Sequence, residues 1–295
     1  MGLPLSLALV QSPAHPAANL EGFAADLEAL ARQRPSVRLF VHPELHLTSP
    51  TGGASEVSPE ELAEPVDGPR DARLAALAGD LGVWLIPGSW YERGADGQIY
   101  NTAFVYSPAG RRVATYRKIA PWRPYETSAP GSDFVVFDMD DYGRVGLSIC
   151  YDAWFPEISR HLAWLGADLI VNVVQTPTID REQEIVLARA NAIVNQVFVA
   201  SVNAATPTGL GRSLLVDPEG RVRTHAPGAE PCVLTDVIDL AEARRVRRFG
   251  TAGLNRLWEQ FQPGDVPLNL PLYSGKIDPR TWGAGRGAEL AEGQA

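Results

Sequence analysis

Apolar stretches that are rich in Val, Ile and Leu alternate along this chain with longer segments of helical periodicity. In the first part, strand-like stretches at 5–11 and 37–44 lie on either side of a helical segment at 19–34, and another helix is predicted near 69–81. Strands separated by helices indicate a layered α/β fold. Between 83 and 118 the strand-like stretches are separated only by short turns, which predicts hairpins. The sheet is therefore expected to be mixed.

The second half of the chain repeats this alternation. Its predicted elements are, in order, a strand at 144–150, a helix at about 157–166, a strand at 168–174, a helix at about 181–195, a strand at 197–203, the hairpin-like stretch GRSLLVDPEGRVRTHA and the stretch PCVLTDVID. No long linker or shift of composition separates the halves, and 295 residues suit one large domain. We therefore predict a single domain over 1–262, followed by a Gly- and Pro-rich extension over 263–295 that is partly irregular or packs on a partner subunit.

The composition is that of an ordinary globular protein, with 45% hydrophobic and 21% charged residues. A formal net charge of −9 disfavours nucleic acid and anionic membranes as partners, because both require a basic surface. We interpret the one basic cluster as a solvated or interface-facing helix surface, and it consists of Arg244, Arg245, Arg247 and Arg248. No stretch approaches the ~18 apolar residues of a membrane span, and no basic segment precedes the first apolar run, so the expected location is the cytoplasm.

Cysteine, histidine and lysine are all rare. Cys150 and Cys232 could form at most one disulfide bond, and the five histidines are scattered. Neither a disulfide framework nor a metal site is therefore expected, and no cofactor is implied. Only two of the 26 cationic residues, Lys118 and Lys276, are lysines. Because a guanidinium cannot replace a compact ammonium in a small pocket, a retained lysine points to a specific role.

The stretch GLSICYDAWFPE, residues 146–157, places Cys150 at the end of a predicted strand. Residues 151–155 form a predicted tight turn, and Pro156 and Glu157 begin a helix with two residue types that favour its first turn. A strand–nucleophile–helix arrangement of this type exposes the catalytic serine of many hydrolases and directs backbone N–H groups at the reacting atom. Cys150 is therefore a candidate nucleophile. The alternative is a buried, inert thiol that closes the strand.

A nucleophilic thiol requires a base and a group that stabilises the oxyanion. Only His42 among the histidines is predicted at a strand end, but Glu44 ends the apolar stretch RLFVHPE and Lys118 ends RRVATYRK. Taken singly, these two residues have ordinary interpretations as a solvated loop acid and a surface lysine. Together with Cys150 they provide a base, an ammonium and a nucleophile at three strand ends.

The motifs HPEL, YRKIAPW and GLSICYDAWFPE together resemble the Glu-Lys-Cys signature of the carbon–nitrogen hydrolase (nitrilase) superfamily, in the same order and with similar spacing. The resemblance covers about residues 4–262. It implies a four-layer αββα sandwich, association through helices into a homodimer or higher homo-oligomer, and a small-molecule amide substrate. The implied roles are base for Glu44, nucleophile for Cys150, and oxyanion stabilisation for Lys118 and the backbone N–H of Tyr151.

Further residues indicate a branch within this superfamily. Trp122 and Glu126, four and eight residues after Lys118, match the aliphatic-amidase subgroup, and the implied role of Glu126 is to orient the lysine and the substrate. CYDAWFPE is more similar to the omega-amidases, and Tyr151 and the following Asp replace the Trp-Glu pair usual in true nitrilases, which favours amides over nitriles. The side chains of Trp122, Trp154 and Tyr151 could form an aromatic wall beside the thiol or belong to the core.

The expected reaction is hydrolysis of a non-peptide C–N bond of a small linear amide through a thioester on Cys150, with release of ammonia or an amine and a carboxylic acid. Alternatives that use the same three residues are hydrolysis of an N-carbamoyl compound, hydrolysis of a nitrile and transfer of the acyl group to an amine. A non-catalytic interaction module would instead carry a vestigial triad. After Glu44 the chain reads LHLTSPTGG where the family commonly continues toward a Gly-Tyr pair, so the loop at 45–57 does not indicate which acyl group is accepted.

Overall fold

The computed structural model describes residues 2–16, 19–48 and 58–277. Within these ranges the strands are β1 Pro4–Gln11, β2 Leu39–Val41, β3 Trp84–Ile86, β4 Ser89–Arg93, β5 Ile99–Tyr106, β6 Arg112–Arg117, β7 Val136–Met139, β8 Gly143–Ile149, β9 Leu169–Val174, β10 Phe198–Asn203, β11 Leu214–Val216, β12 Val222–His225, β13 Cys232–Asp239, β14 Leu268–Leu270 and β15 Gly275–Ile277. The helices are α1 Leu20–Gln33, α2 Pro59–Leu62, α3 Pro69–Leu81, α4 Pro156–Trp164, α5 Arg181–Asn195 and α6 Ala241–Phe249. Short 3₁₀ helices span Cys150–Trp154, Leu257–Glu259 and Pro271–Tyr273.

Most of these strands form two mixed sheets. The first has the order β13–β1–β2–β3–β5–β4, with β6 also paired to β5, and its β1, β2 and β3 are parallel. The second has the order β12–β11–β10–β9–β8–β7, in which β8, β9 and β10 are parallel. The hairpins predicted between 83 and 118 are the antiparallel pairs β4–β5 and β5–β6.

Helices provide the long crossover connections that parallel strands require. α1 connects β1 to β2, α3 precedes β3, α4 connects β8 to β9, and α5 connects β9 to β10. Local sequence defines both ends of α3, because Pro69 occupies its first turn and Gly82, at φ +62°, ends it in the left-handed conformation.

Three apolar clusters separate four layers. The central cluster lies between the sheets and takes side chains from both, such as Leu7 and Ile86 from the first and Leu147 and Val171 from the second. Another cluster packs α1 and α3 against the first sheet, and the last packs α4 and α5 against the second. Each interface removes apolar surface from water, which is the main driving force for folding. The predicted α/β fold with helix–sheet–sheet–helix layers is confirmed.

Two strand predictions in the first sheet are too long. The stretch 37–44 is a strand only at β2, and the stretch 83–92 divides into β3 and β4 around Gly88. Gly88 has a φ of +90°, and a Cβ at this residue would lie 1.8 Å from the carbonyl oxygen of Pro43. The chain needs a glycine here because the segment that carries Glu44 passes directly over it.

The arginine cluster of α6 is only partly solvated. Arg244, Arg245 and Arg248 are exposed, but Arg247 is buried, and its Nη1 lies 3.5 Å from Asp168 Oδ1. The interpretation as a wholly solvated or interface-facing surface is therefore wrong for Arg247. Asp168, just before β9, is its buried partner, and the local sequence around the arginines gives no sign of it.

The C-terminal extension is described as far as Ile277 and forms the small hairpin β14–β15. The rest of the predicted extension, at 278–295, and most of the loop after Glu44, at 49–57, lie outside the described residues. Among the residues that are described, no helix combines the length and apolar character needed to cross a membrane.

Candidate active site

The predicted catalytic residues follow the ends of strands in both sheets. Glu44 lies just beyond β2, Lys118 directly after β6, and Cys150 directly after β8. β2 and β6 belong to the first sheet, and β8 belongs to the second. The backbone N–H of Glu44 donates to the carbonyl oxygen of Val174, at the end of β9, over 3.3 Å. This bond joins the Glu44 segment to the second sheet, where Cys150 lies.

Both carboxylate oxygens of Glu44 have donors from the protein. Oε1 accepts from Asn101 Nδ2 at 2.8 Å and from Lys118 Nζ at 3.0 Å. Oε2 accepts from the backbone N–H of Gln175 at 2.9 Å. Only 2% of the Glu44 side chain is exposed. The protein, rather than water, therefore holds this carboxylate in one orientation.

The Lys118 side chain is fully buried between two carboxyl groups. Its Nζ lies 3.0 Å from Glu44 Oε1 and 2.6 Å from Glu126 Oε1. Glu126 is itself oriented by the backbone N–H of Trp122, which donates to its Oε2 at 3.2 Å. A buried ammonium needs paired charges of this kind. A wider, planar guanidinium could not occupy the same space without displacing one of the carboxyl groups.

Cys150 occupies a strained turn. Its φ is +46°, in the left-handed region that residues other than glycine rarely adopt. Asp152 braces this turn from inside the protein: its Oδ2 accepts from the Ile149 N–H at 2.9 Å and from the Tyr116 hydroxyl at 2.6 Å. Its Oδ1 accepts from the Ala120 N–H at 2.8 Å. A braced, sharp turn between a strand and a helix is the geometry of a nucleophile elbow.

The thiol of Cys150 contacts two polar side chains. It interacts with the Glu44 carboxyl group, and its Sγ lies 3.7 Å from Thr176 Oγ1. The Lys118 ammonium also acts on the thiol electrostatically. The structure therefore brings together the base, the ammonium and the nucleophile that the sequence predicted at three separate strand ends.

Burial dominates the ionisation of these groups. It raises the pKa of Glu44, and the Lys118 ammonium partly offsets this effect. Burial also raises the pKa of the Cys150 thiol well above its usual value, and the charge of Glu44 adds to the increase. Burial would lower the pKa of Lys118, but the combined effects of Glu44, Cys150 and Glu126 outweigh it and the pKa is raised. The resting site thus holds an ammonium and a protonated thiol, with the Glu44 carboxyl group placed to exchange a proton.

Sequence reasoning misses three residues of this site. Asn101 could have been identified from the sequence, because an amide side chain inside the apolar stretch IYNTAFV needs a buried hydrogen-bond partner. Asp152 stands within the quoted motif, but its sequence position does not show that it braces the turn. Thr176 has no signal, since it lies in a loop far along the chain from Cys150.

The predicted aromatic residues lie on two segments and all three are half-buried. Tyr151 and Trp154 are together on the turn after Cys150, with ring centroids 5.9 Å apart. Trp122 packs on Tyr125, with ring centroids 4.5 Å apart, in the segment after β6. A continuous aromatic wall beside the thiol stays a prediction.

Both cysteines are free thiols. Within the described ranges, no group of three or more His, Cys, Asp and Glu side chains is arranged to hold a metal ion. The groups that do converge at Cys150, a thiol, a carboxyl group and an ammonium, are those of nucleophilic catalysis with proton transfer.

Comparison with protein families matches residues 6–248 to the model for carbon–nitrogen hydrolases. The chain belongs to the carbon–nitrogen hydrolase family. Among curated proteins, this hydrolase is similar to the omega-amidase NIT2 of Homo sapiens, with 34% identity over 205 residues that cover 64% of this chain and 73% of that protein.

Solved structures show the same similarity. The hydrolase matches Nit3 of Saccharomyces cerevisiae, a member of branch 10 of the nitrilase superfamily, with 27% identity, a TM-score of 0.72, and coverage of 83% of this chain and 93% of that one. It also matches a mutant of the amidase from Nesterenkonia sp. AN1 in which the acetamide moiety of fluoroacetamide is covalently added at the active-site cysteine. That match has 26% identity, a TM-score of 0.68, and coverage of 86% of this chain and 96% of the other. The predicted family and the prediction of an amidase-like hydrolase are confirmed.

Proposed function

We propose that the protein hydrolyses small linear amides through a thioester on Cys150, with release of ammonia or an amine and a carboxylic acid. One observation supports this most strongly: Lys118 Nζ lies 3.0 Å from Glu44 Oε1, and the Cys150 thiol interacts with the same carboxyl group. A nucleophile, a base and a cation that act on one another in one buried site are the groups that amide cleavage by a thiol requires.

In the first half-reaction, Glu44 accepts the thiol proton as the sulfur of Cys150 forms a bond to the amide carbon. The carbonyl π electrons move to oxygen, and the Lys118 ammonium and the backbone N–H of Tyr151 stabilise the oxyanion. Deletion of one donor of this kind raises the barrier by about 3–4 kcal/mol in other enzymes. Glu44 then donates its proton to the amide nitrogen as the C–N bond breaks, and a thioester remains.

In the second half-reaction, Glu44 takes a proton from water as the water oxygen attacks the thioester. Collapse of this intermediate breaks the C–S bond, and the departing sulfur recovers the proton while the carboxylic acid is released. Lys118 keeps its proton throughout, because Glu44, Cys150 and Glu126 together raise its pKa more than burial lowers it. Glu126, 2.6 Å away, keeps the ammonium aimed at the oxyanion.

The choice of amides over nitriles is supported by the motif and by the relatives. Tyr151 and Asp152 stand where true nitrilases usually have Trp-Glu, and the Asp152 carboxylate accepts three internal hydrogen bonds. An omega-amidase and an amidase are among the similar proteins. These similarities support an amide substrate in general and do not select one acyl group.

Ammonia release from a panel of small linear amides tests the proposal. The wild-type protein should release ammonia, and Cys150→Ala and Glu44→Gln should be folded and inactive. Lys118→Arg should fail although it keeps the charge; full turnover by this variant would contradict the role of Lys118. Carbon dioxide measured in parallel identifies hydrolysis of an N-carbamoyl compound, and new products with added amines identify acyl transfer.

We also propose that the protein forms a homodimer or a higher homo-oligomer through α5. Val186, Ile193 and Val194 are 65%, 47% and 40% exposed, and the last two lie about two turns after the first, on the same stripe of the helix. Exposed apolar stripes of this kind mark association surfaces. Sedimentation equilibrium should show an oligomer that Val186→Glu weakens, and a monomeric wild-type protein would contradict the proposal.

A further inference from the structure

A second set of polar residues reaches the Cys150 thiol. Thr176 is buried, and its Oγ1 lies 3.7 Å from Cys150 Sγ. The same hydroxyl donates to Glu184 Oε1 at 2.8 Å. Arg181 Nη1 donates to Glu184 Oε2 at 2.9 Å. Thr176, Glu184 and Arg181, called here the threonine relay, are separate from the proposed base and oxyanion groups.

Hydrogen bonds between side chains and backbone groups fix both ends of the threonine relay. Arg181 Nε and Nη2 donate to two carbonyl oxygens in the loop before β11, at 3.1 and 3.0 Å. At the other end, Asn203 Oδ1 accepts from the Thr176 N–H at 2.8 Å, and its Nδ2 donates to the Thr176 carbonyl oxygen at 3.2 Å. Arg181 and Glu184 are also buried, only 1% and 6% exposed. The Thr176 hydroxyl is therefore held at one position relative to Cys150.

The ion pair fixes the direction of the hydrogen bonds in the threonine relay. An ionised Glu184 has only acceptor oxygens, so the Thr176 hydroxyl donates its one proton to Glu184. The lone pairs of the same hydroxyl oxygen then remain to accept from the S–H of Cys150. The thiol proton thus has two acceptors within reach, Thr176 and the Glu44 carboxyl group.

We infer that Thr176 is a positioning residue for the nucleophile: its hydroxyl, held by Glu184 and Arg181, accepts a hydrogen bond from the Cys150 thiol and fixes the orientation of the sulfur. A side chain on a turn strained to φ +46° gains from such support. Misplacement of a reacting atom by about 1 Å can cost about 100-fold in rate. The consequence for turnover rests on the proposed function, but the placement of the sulfur does not.

Two substitutions at one position test this inference. Thr176→Val removes the hydroxyl and keeps the branched shape, whereas Thr176→Ser keeps the hydroxyl. We expect Thr176→Val to lower kcat for amide hydrolysis by about 10- to 100-fold with little change in KM, and Thr176→Ser to stay within about threefold of wild type. The exposed Thr178 provides a matched control, since Thr178→Val should change neither constant.

A second readout does not require a substrate. The rate of Cys150 alkylation by iodoacetamide is measured by mass spectrometry over a range of pH, with Cys232 as an internal reference. The pH profile for Cys150 should shift in Thr176→Val and should keep its wild-type form in Thr176→Ser. If Thr176→Val does not fold, Thr176→Ala is measured by the same criteria.

The outcomes separate this inference from the proposed function. Wild-type kcat together with an unshifted alkylation profile in Thr176→Val overturns the inference, and so does an equal loss in Thr176→Ser, which would assign the effect to packing. A Thr176-dependent alkylation profile in a protein that hydrolyses no amide removes the proposed function and leaves the positioning role. Amide turnover and an alkylation profile that are both unchanged in Thr176→Val remove the positioning role and leave the function.

Discussion

Replacement of Lys118 by methionine leaves Glu44 and Glu126 in the site without their shared cation. The wild-type Nζ lies 3.0 and 2.6 Å from the two carboxyl groups, so one substitution breaks two ion pairs. Removal of one partner from a buried ion pair costs about 3–5 kcal/mol, because the other charge stays buried. Because 23% of the Glu126 side chain is exposed, solvent screens the contribution of this second carboxyl group to the cost. We therefore expect Lys118→Met to lower the free energy of unfolding by about 3–5 kcal/mol in all at neutral pH.

The stability of Lys118→Met should also fall over a wider pH range than wild-type stability does. Without the ammonium, the pKa of Glu44, already raised by burial, rises further. A carboxyl group whose folded-state pKa exceeds its unfolded-state pKa binds more protons in the folded protein. Such a group lowers the stability of the protein as the pH rises from its unfolded-state pKa to its folded-state pKa. Within that window the expected slope is about 1.4 kcal/mol per pH unit, and protonation at lower pH should recover the lost stability.

Urea unfolding of the wild-type protein and of Lys118→Met, repeated at several pH values from about 5 to 8, measures both effects. The double variant Glu44→Gln/Lys118→Met is the matched control, because it lacks the buried carboxylate and should lose the added pH dependence. If the stability of Lys118→Met varied with pH no more than that of the wild type, the ammonium would not be the group that neutralises Glu44.

Three further predictions follow from single side chains. Gly88→Ala should lower the free energy of unfolding, measured by thermal unfolding, by more than about 1 kcal/mol and should also lower kcat. The reason is that a Cβ would collide with the Pro43 carbonyl oxygen in the segment that carries the base. An unchanged stability and kcat would contradict this close approach. Asp152→Ala leaves three hydrogen-bond donors without their acceptor, and each such donor costs about 1–3 kcal/mol of stability. The variant should also slow the alkylation of Cys150. A stable variant with wild-type alkylation would show that Asp152 does not brace the turn. Burial lowers the pKa of His42 from 6.5 to about 3, so the unfolded state binds more protons and stability should fall as pH decreases below 6.5, by about 2 kcal/mol at pH 5. His42→Leu should flatten this decline in urea titrations, and an unchanged slope would contradict it.

The proposed catalytic residues could be predicted because each one breaks a local pattern in the sequence. Glu44 is an acid at the end of an apolar stretch, Lys118 is one of two lysines, and Cys150 stands between a strand and a helix that begins with Pro. A charge placed among apolar residues carries a desolvation cost unless it has a partner, so such a break indicates a partner elsewhere in the fold. Sequence pattern alone reveals that a partner exists and leaves its identity open.

The partners that support the site could not be predicted in the same way. Gln175 and Thr176 lie in a loop at the end of β9. The packing of the two sheets brings Gln175 to Glu44, and the pairing of β8 with β9 in the second sheet brings Thr176 to Cys150. Threonine and glutamine in a loop are ordinary, so neither residue stands out locally.

The division of the strands into two sheets is a further feature that the sequence does not show. Strand-like stretches such as LIVNVV in β9 are apolar on both faces apart from Asn172, because each sheet is covered by helices on one side and by the other sheet on the second. Such stretches identify strands but carry no alternation that would show which strands pair. The sequence therefore predicts a mixed α/β arrangement, and the family resemblance, rather than the strand pattern, predicts the four layers.

The central claim is that Cys150 forms a covalent bond to the acyl group of an amide. Its most direct test is mass spectrometry of the protein quenched with acid during turnover of a small linear amide. We predict a mass increase equal to the acyl portion, located on the peptide that contains Cys150 and missing from Cys150→Ala. An acyl group attached to another residue, or wild-type amide turnover by Cys150→Ala, would contradict the account.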